Sequence, residues 1–518
     1  MTEQSIWEER MHPHVVRRDD YRTAYDVDYS RVAHSQFYRR LAGKSQILSV
    51  TGDGDYHRNR LTHTIEVGQI ALGLIQFLTA TEKRNEVRAL IPSRALMETI
   101  SAVHDIGHPP YGHGGEVALN YCMLDHGGFE GNGQTLRILT RLLEGSSTRA
   151  GGNLTRNTLL GALKYPVPYS MVAKHVPDEG RATHAQLEKV RTIMDTIAAV
   201  KGLDVAAASS EHVDIAARIV SDESVESMDR IAKLLSEAIH GAPRPTSLKG
   251  QPISPLTGAR LLVHTMHEPP KCYLDTEEDV VQWLLSPFSA SDRKAIVANR
   301  AKSLPGSLMD TADDLAYGPG DLEDAVTLGL IKRDQLSQDI PPALWDEFLD
   351  MMCANYPHDY RHHGGSRYEA FLDELFGRGT KEQSGRLIHY MIANSYIRER
   401  EGYEEPSFRF TVDIRPEAKR LLSAIKKIVM DRVIRAPEVQ QLRFKGQQMI
   451  VKLFDYYAHD PRHLLPKEVH GSYAAQDDET ARMRVICDFV ATMTDPGMTR
   501  AYKRLFDPSA GSVFDSLM

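Results

Sequence analysis

This sequence is short of cysteine, of long apolar runs and of alternating strand patterns. Its four cysteines, Cys122, Cys272, Cys353 and Cys487, lie far apart and form no C-x-x-C pair. That argues against a disulfide scaffold or a zinc ribbon and fits a reducing cytosol. The H-E-x-x-H ligand set for zinc is absent too. The longest apolar run, VGQIALGLIQFL, is short for a membrane span and carries two glutamines. The first residues, MTEQSIWEERM, are acidic and lack an apolar core, so they do not read as a signal peptide. A cytoplasmic chain with no membrane attachment is the expectation. There is no internal repeat and no low-complexity tract.

What is there is ordinary in bulk. At about 100–200 residues per domain, 518 residues make two to four domains, or one large domain with appendages. A hydrophobic share of 42% and a charged share of 25% fit a globular protein. The net charge of −8 means that any phosphate or nucleic acid must be met by a local basic patch. RFKGQQ (443–448) and KRLLSAIKK (419–427) read better as solvated faces than as nucleic-acid grooves.

The dominant period is helical. Val67, Ile70, Leu74 and Leu78 recur at three and four, as do Leu96, Ile100 and Val103. Gly107 stands where a C′ glycine would, and Pro109-Pro110 stops that second helix. Further helices are predicted at 133–145, 184–202, 227–241, 277–286, 321–331, 385–401, 417–434, 448–459 and 483–495. SFRFTVDI, near 407–414, is the best strand candidate. The fold class expected is all-α, with at most a small β hairpin. Pro, Gly and Ser mark linkers at 144–153, 240–258 and 358–368.

The segment HDIGHPPYGHGGE, 104–116, concentrates the chemistry. A His-Asp pair at a helix end can cap the helix or can hold an ion beside its axis. Three features weigh toward the ion. His104 lies four residues after Ile100 on an inward face, where an imidazole needs a partner. His63 is in register with Val67, Ile70 and Leu74 on a separate apolar helix. SLMDTADDLAYGPGDLEDA, 307–325, sets aspartates among apolar residues, and buried carboxylates need a cation. Two His and two Asp suit Mn²⁺, Fe²⁺, Co²⁺, Ni²⁺ or Mg²⁺.

RLTHTIEV, AVHDIGHPPYGHGGE, GGFEGNGQTLRILTRL, DTADDLAYGPGDLEDA and VICDFVATMTDPGMTRAYKRLF follow one another along the chain. In content and order they resemble the deoxyguanosine triphosphate triphosphohydrolases of the HD superfamily of metal phosphohydrolases. The resemblance runs from about residue 36 to 506. It implies one divalent metal, Mn²⁺ or Mg²⁺, on His63, His104, Asp105 and Asp313, with Asp314 the competing neighbour. It places an acid–base pair on His113 and Glu116. His108, where some relatives carry Asn, is either catalytic or a polar cap. The implied reaction is hydrolysis of dGTP to deoxyguanosine and intact triphosphate by water attack at the α-phosphorus.

The same resemblance implies substrate contacts at Gln46, Arg60, Asn132, Tyr317 and Asp321. Tyr317 and Asp321 share a face with Asp313 if the helix survives Gly318 and Pro319. Asn132 also reads as lying near an N-cap. Relatives with FEHN have His where this chain has Gly131, so one acid–base helper is absent. Relatives form homo-oligomers, hexamers or tetramers, and some bind single-stranded DNA as an effector. The expected organisation is an HD core in two parts, 30–145 and 269–340, a helical insertion at 146–268, and a C-terminal helical region at 341–518. Extra material near 178–268 puts strict dGTP preference in question, and a broad dNTP triphosphohydrolase is the nearest alternative. A nucleotide- or DNA-binding regulator with a degenerate HD fold is the alternative outside enzymes. The intact set of six residues weighs against it. The PPYGHGGE continuation weighs against a phosphodiesterase of cyclic or alarmone nucleotides.

Overall fold

The computed structural model describes residues 5–15, 17–46, 58–144, 151–173, 268–357 and 366–511, with the backbone of 247–248 and 251–252. The chain divides into two compact units, 1–172 with 269–518, and 173–268. In the second unit, Ser247–Leu248 pairs antiparallel with Gln251–Pro252. The helices expected at 184–202 and 227–241 lie outside the described residues, while the first part of the expected insertion, 151–172, belongs to the first unit and carries a helix at Arg156–Ala162.

The first unit is helical, as its period predicts. Helix α1 is Ala24–Ala33, α2 is Arg60–Thr81 and α3 is Arg94–Val103. Asn59 starts α2 by accepting from the Thr62 N–H, while the Thr62 hydroxyl takes the Asn59 N–H. Ser93 caps α3 by accepting from Leu96 N–H. By length and composition α2 could cross a membrane. Here Val67, Ile70, Leu74 and Leu78 are instead buried in a protein core.

That core gathers α2, the Leu96–Ile100 face of α3, and helix α6, Leu304–Leu315. A second core takes Ala102, Val103 and Ile106 with Leu136, Leu139 and Tyr273. So α3 lies between two cores and carries His104 off its end. Ile100 is fully buried there, and burying such a side chain stabilises by about 1.5–3 kcal/mol.

The helical run after Asp313 survives Gly318 and Pro319 by changing pitch. After α6 the chain makes a π turn, Ala316–Gly320, and continues as α7, Asp321–Thr327. In an uninterrupted α-helix, residues eight apart are offset by about 80°. The wider π turn takes less rotation per residue and brings Asp321 back toward the Asp313 face.

One helix expectation needs correction. The helix predicted at 385–401 ends at Ala393, and Ser395–Glu399 is a strand. It pairs antiparallel with Phe410–Ile414, Ser395 opposite Ile414 and Glu399 opposite Phe410. The cause is a change of period. Ser395 and Ile397 point inward while Tyr396 and Arg398 point out. The partner falls within the predicted strand, though its first residues form a short turn of helix, Pro406–Arg409.

Gly107 is a second correction. It is not left-handed, so it is no C′ cap. A Cβ there would stand 2.1 Å from the Gly131 carbonyl oxygen and 2.3 Å from Thr135 N. Glycine is required by the close approach of the next helices, α4 (Gly112–Cys122) and then α5 (Gly131–Arg137), of which α5 makes the contact. The C-terminal part supplies α8 (Pro416–Val429), α9 (Pro437–His459), α10 (Glu479–Thr492) and α11 (Asp495–Phe506). Helix α9 packs along α4, and α10 and α11 pack on α9.

Candidate functional site

Three helices converge to make the first cluster. His63 stands on α2 one turn from its start, His104 follows the last residue of α3, and Asp313 lies on α6. One ligand atom from each lies within 4.8 Å of the others. Asp313 Oδ1 is 3.2 Å from His63 Nε2 and 3.8 Å from His104 Nε2. His104 Nδ1 is 2.7 Å from the Ser101 carbonyl, which can only accept. Nδ1 therefore carries the proton, and the lone pair on Nε2 faces the cluster. His63 Nδ1 and His104 Nε2 are buried without hydrogen-bond partners.

Asp105 lies beside this cluster. Its Oδ1 is 3.7 Å from His104 Nε2 and 3.2 Å from His108 Nδ1, while Oδ2 takes Arg60 Nη1 at 2.5 Å. Burial alone would raise the Asp105 carboxyl, but Arg60 and the neighbouring imidazoles hold it well below the usual range. For Asp313, burial is likewise outweighed by Lys164 and His63, so it too is held low. Asp314 points elsewhere. It pairs with Lys426 at 2.5 Å and its side chain is 51% exposed.

The second cluster is His108, His113 and Glu116, whose ligand atoms also lie within 4.8 Å of one another. His113 Nδ1 meets Glu116 Oε2 at 2.6 Å across one turn of α4. The other carboxylate oxygen accepts the Gly131 N–H at 3.0 Å. Burial opposes ionisation of Glu116, yet His108 and His113 hold it low. Its carboxylate is fully buried, whereas the His113 side chain is 66% exposed. His108 is buried between Asp105 and Glu116, with Nε2 3.7 Å from Glu116 Oε1. Burial and then Arg60 push it down to about 3.

The turn that delivers this cluster is strained. Tyr111 precedes α4 at φ 61° and Gly112 at φ 54°, and no side chain caps the helix. A non-glycine residue in this region costs about 1–3 kcal/mol and persists where its surroundings over-determine it. Gly112 also lies against Arg60, since a Cβ there would be 2.7 Å from Nη2.

The expected substrate contacts are placed unevenly. Arg60 is buried and engages Asp105, with its Nε lacking a partner. Gln46 sits beside the Gly112 turn, and its Oε1 is buried and unpartnered. Asp321 is buried with an unpartnered Oδ2, and burial pushes it up to about 8 against the pull of His63 and Arg58. Tyr317 is half-buried, with Lys426 Nζ 5.7 Å from its ring centroid. Asn132 is not the N-cap. Glu130 is, accepting from Gly133 N–H, and Asn132 donates to Glu130 at 2.8 Å. The longer carboxylate reaches the third helical N–H, which leaves Asn132 in the first turn.

Several charged residues here escaped the sequence reading. Lys164 lies 3.0 Å from Asp310 and 3.4 Å from Asp313. Lys271 is 3.3 Å from the buried Glu130. Burial opposes the charge on both lysines, but the facing carboxylates hold each above its usual range. The available signal was local: LKY and PKC place single lysines beside the buried Leu163 and Cys272.

Residues 412–504 match the phosphohydrolase-associated domain family. The whole chain is similar to deoxyguanosinetriphosphate triphosphohydrolase-like proteins. One from a Shewanella species is 33% identical over 531 aligned positions, covering 98% of both chains. One from Shewanella baltica is 33% identical over 529, and one from Deinococcus radiodurans 34% over 518, each again covering 98% of both chains. The chain belongs to this family. The helical fold is consistent with an HD-superfamily phosphohydrolase, the family implies dependence on a divalent metal, and the two His/carboxylate groups are ones that could hold an ion. The donors suit that group: two imidazoles and two carboxylates, with buried nitrogens that lack partners.

Proposed function

We propose that this chain hydrolyses a deoxynucleoside triphosphate, dGTP foremost, to the deoxynucleoside and intact inorganic triphosphate. The observation that carries the reading is the junction of the two clusters. Asp105 and His108 link a metal-type set, His63, His104 and Asp313, to the His113–Glu116 pair. The choice of dGTP follows the names of the relatives. His63, His104, Asp105 and Asp313 would hold Mn²⁺ or Mg²⁺, which supplies positive charge beside the α-phosphate.

The chain's own groups divide the remaining work. Glu116 fixes the His113 ring by taking Nδ1–H, which leaves Nε2 at the open side to accept a proton from the attacking water. The bond from the α-phosphorus to the 5′ oxygen then breaks, and that oxygen takes up the proton that His113 accepted. His108, lowered by burial and by Arg60, lies between Asp105 and Glu116 and joins the two clusters. Lys164, Lys271 and Arg60 bring three cations beside the clusters, matching a polyanionic substrate. Asp321 and Gln46 offer buried acceptors suited to sugar hydroxyls.

Incubation with each dNTP and Mn²⁺ or Mg²⁺, with products resolved, tests the proposal. Deoxyguanosine with intact triphosphate is the expected result. Release of pyrophosphate or monophosphate overturns the reaction. Equal turnover of all four dNTPs would replace dGTP preference with the broad reading.

A further inference from the structure

Residues far from the two clusters in sequence hold the strained turn between them. Lys44 is buried and donates from Nζ to the His108 carbonyl at 2.5 Å and to the Ala491 carbonyl at 3.0 Å. Its own carbonyl accepts the Arg60 N–H at 3.0 Å, which ties the same segment to the start of α2. Asp495, fully buried at the start of α11, uses both carboxylate oxygens. Oδ1 accepts the Tyr111 N–H at 3.0 Å, and Oδ2 accepts both the N–H and the hydroxyl of Ser45.

The Tyr111 ring is held from a third side. A Cβ at Gly446 on α9 would stand 2.4 Å from Tyr111 Cγ. The turn is left-handed at two successive residues and has no side-chain cap of its own, so its shape depends on these contacts. All of the C-terminal contributors, Gly446, Ala491 and Asp495, fall within 412–504, the phosphohydrolase-associated region.

We propose that Lys44 and Asp495 form a latch through which the C-terminal helices set the position of His113 and Glu116. Asp495 is thus a positioning residue for hydrolysis. It touches none of the reacting groups and acts through the backbone of Tyr111, two residues before His113. The inference rests on the acid–base reading above. It gives the associated region a task in this chain, which is to hold open a turn that the segment 104–116 does not hold by itself.

The test is a four-member set in the full chain with Mn²⁺ and dGTP: wild type, Asp495→Asn, Glu116→Gln and the double variant. The amide of Asp495→Asn cannot accept at both ends. The expected result is a kcat lowered by about tenfold or more, with KM and Mn²⁺ affinity within about twofold of wild type. In the Glu116→Gln background the same substitution should lower the residual rate by no more than about twofold, because the group it positions is already gone. An equal factor in both backgrounds, or an unchanged kcat in wild type, overturns the latch. Loss of kcat, KM and metal affinity together, in step with the folded fraction, also overturns it. Should Asp495→Asn not fold, Ser45→Ala removes one donor from the same carboxylate and is judged by the same criteria. Failure of the acid–base reading shows separately, as a Glu116→Gln variant as active as wild type.

Discussion

The His63–His104–Asp313 and His108–His113–Glu116 clusters use the same donors, two imidazoles and a carboxylate, and share Asp105 as a neighbour. They are built in opposite ways. The first stands on faces and ends of regular helices whose apolar sides fill the largest core. The second hangs on a left-handed turn and the first turn of a helix from which His113 alone is exposed, braced by Arg60, Gly131 and the C-terminal helices. A metal-type site needs donors converging from several rigid elements. A proton-transfer pair needs one buried and one open member, which the start of α4 provides. The two should therefore fail differently when they are damaged.

The largest effect is expected at the first cluster. His104→Ala removes a donor whose tautomer is set by Ser101, and Mn²⁺ binding should be lost along with turnover, at least about 10³-fold. Titration calorimetry with Mn²⁺ beside kcat checks this, and retained metal affinity would dissolve the first cluster as a metal site. Glu116→Gln should do the reverse. Metal binding persists while kcat falls by about 10²-fold or more. If both variants lost metal equally, the two clusters would be one site and the distinction would fail.

Gly131→Ala sharpens the contrast with a smaller change. Its Cβ would stand 2.1 Å from Glu116 Oε1, so the carboxylate must shift from its place against Gly131 and its bond to His113 is disturbed. A fall in kcat of roughly tenfold with unchanged Mn²⁺ affinity is expected. Any side chain at 131 has no room here without a different Glu116 placement.

How much of this was legible in the sequence follows the same division. His63 and His104 could be found because they continue an apolar period, and that period is the fold itself. The π turn at 316–320 was foreseen as a condition but not as a structure, because Gly-Pro in a helix can end it or widen it. The strand at 395–399 was missed because its apolar residues follow the helix with no break in composition. Lys44, Lys164, Lys271 and Asp495 were invisible as site residues. Each is a lone charge whose own stretch assigns it no role, and what makes it matter is a partner more than 60 residues away. Gly107, which reads as a C′ glycine, proved instead to be a point of contact against α5.

The smallest effect should come from the residue beside Asp313. Adjacent helical positions point about 100° apart, and the two aspartates show the consequence. Asp313 faces His63, His104 and Lys164, while Asp314 faces Lys426 at the surface. An exposed pair of that kind contributes about 0–1 kcal/mol. Asp314→Asn should therefore leave kcat and Mn²⁺ affinity within about twofold and shift stability by no more than that pair is worth. Asp313→Asn should lose the metal as His104→Ala does. Calorimetry on the two variants reads the difference directly. If Asp314→Asn lost metal and Asp313→Asn kept it, the helix would be rotated by one residue from the arrangement described, and the π turn would no longer bring Asp321 toward the ligand face.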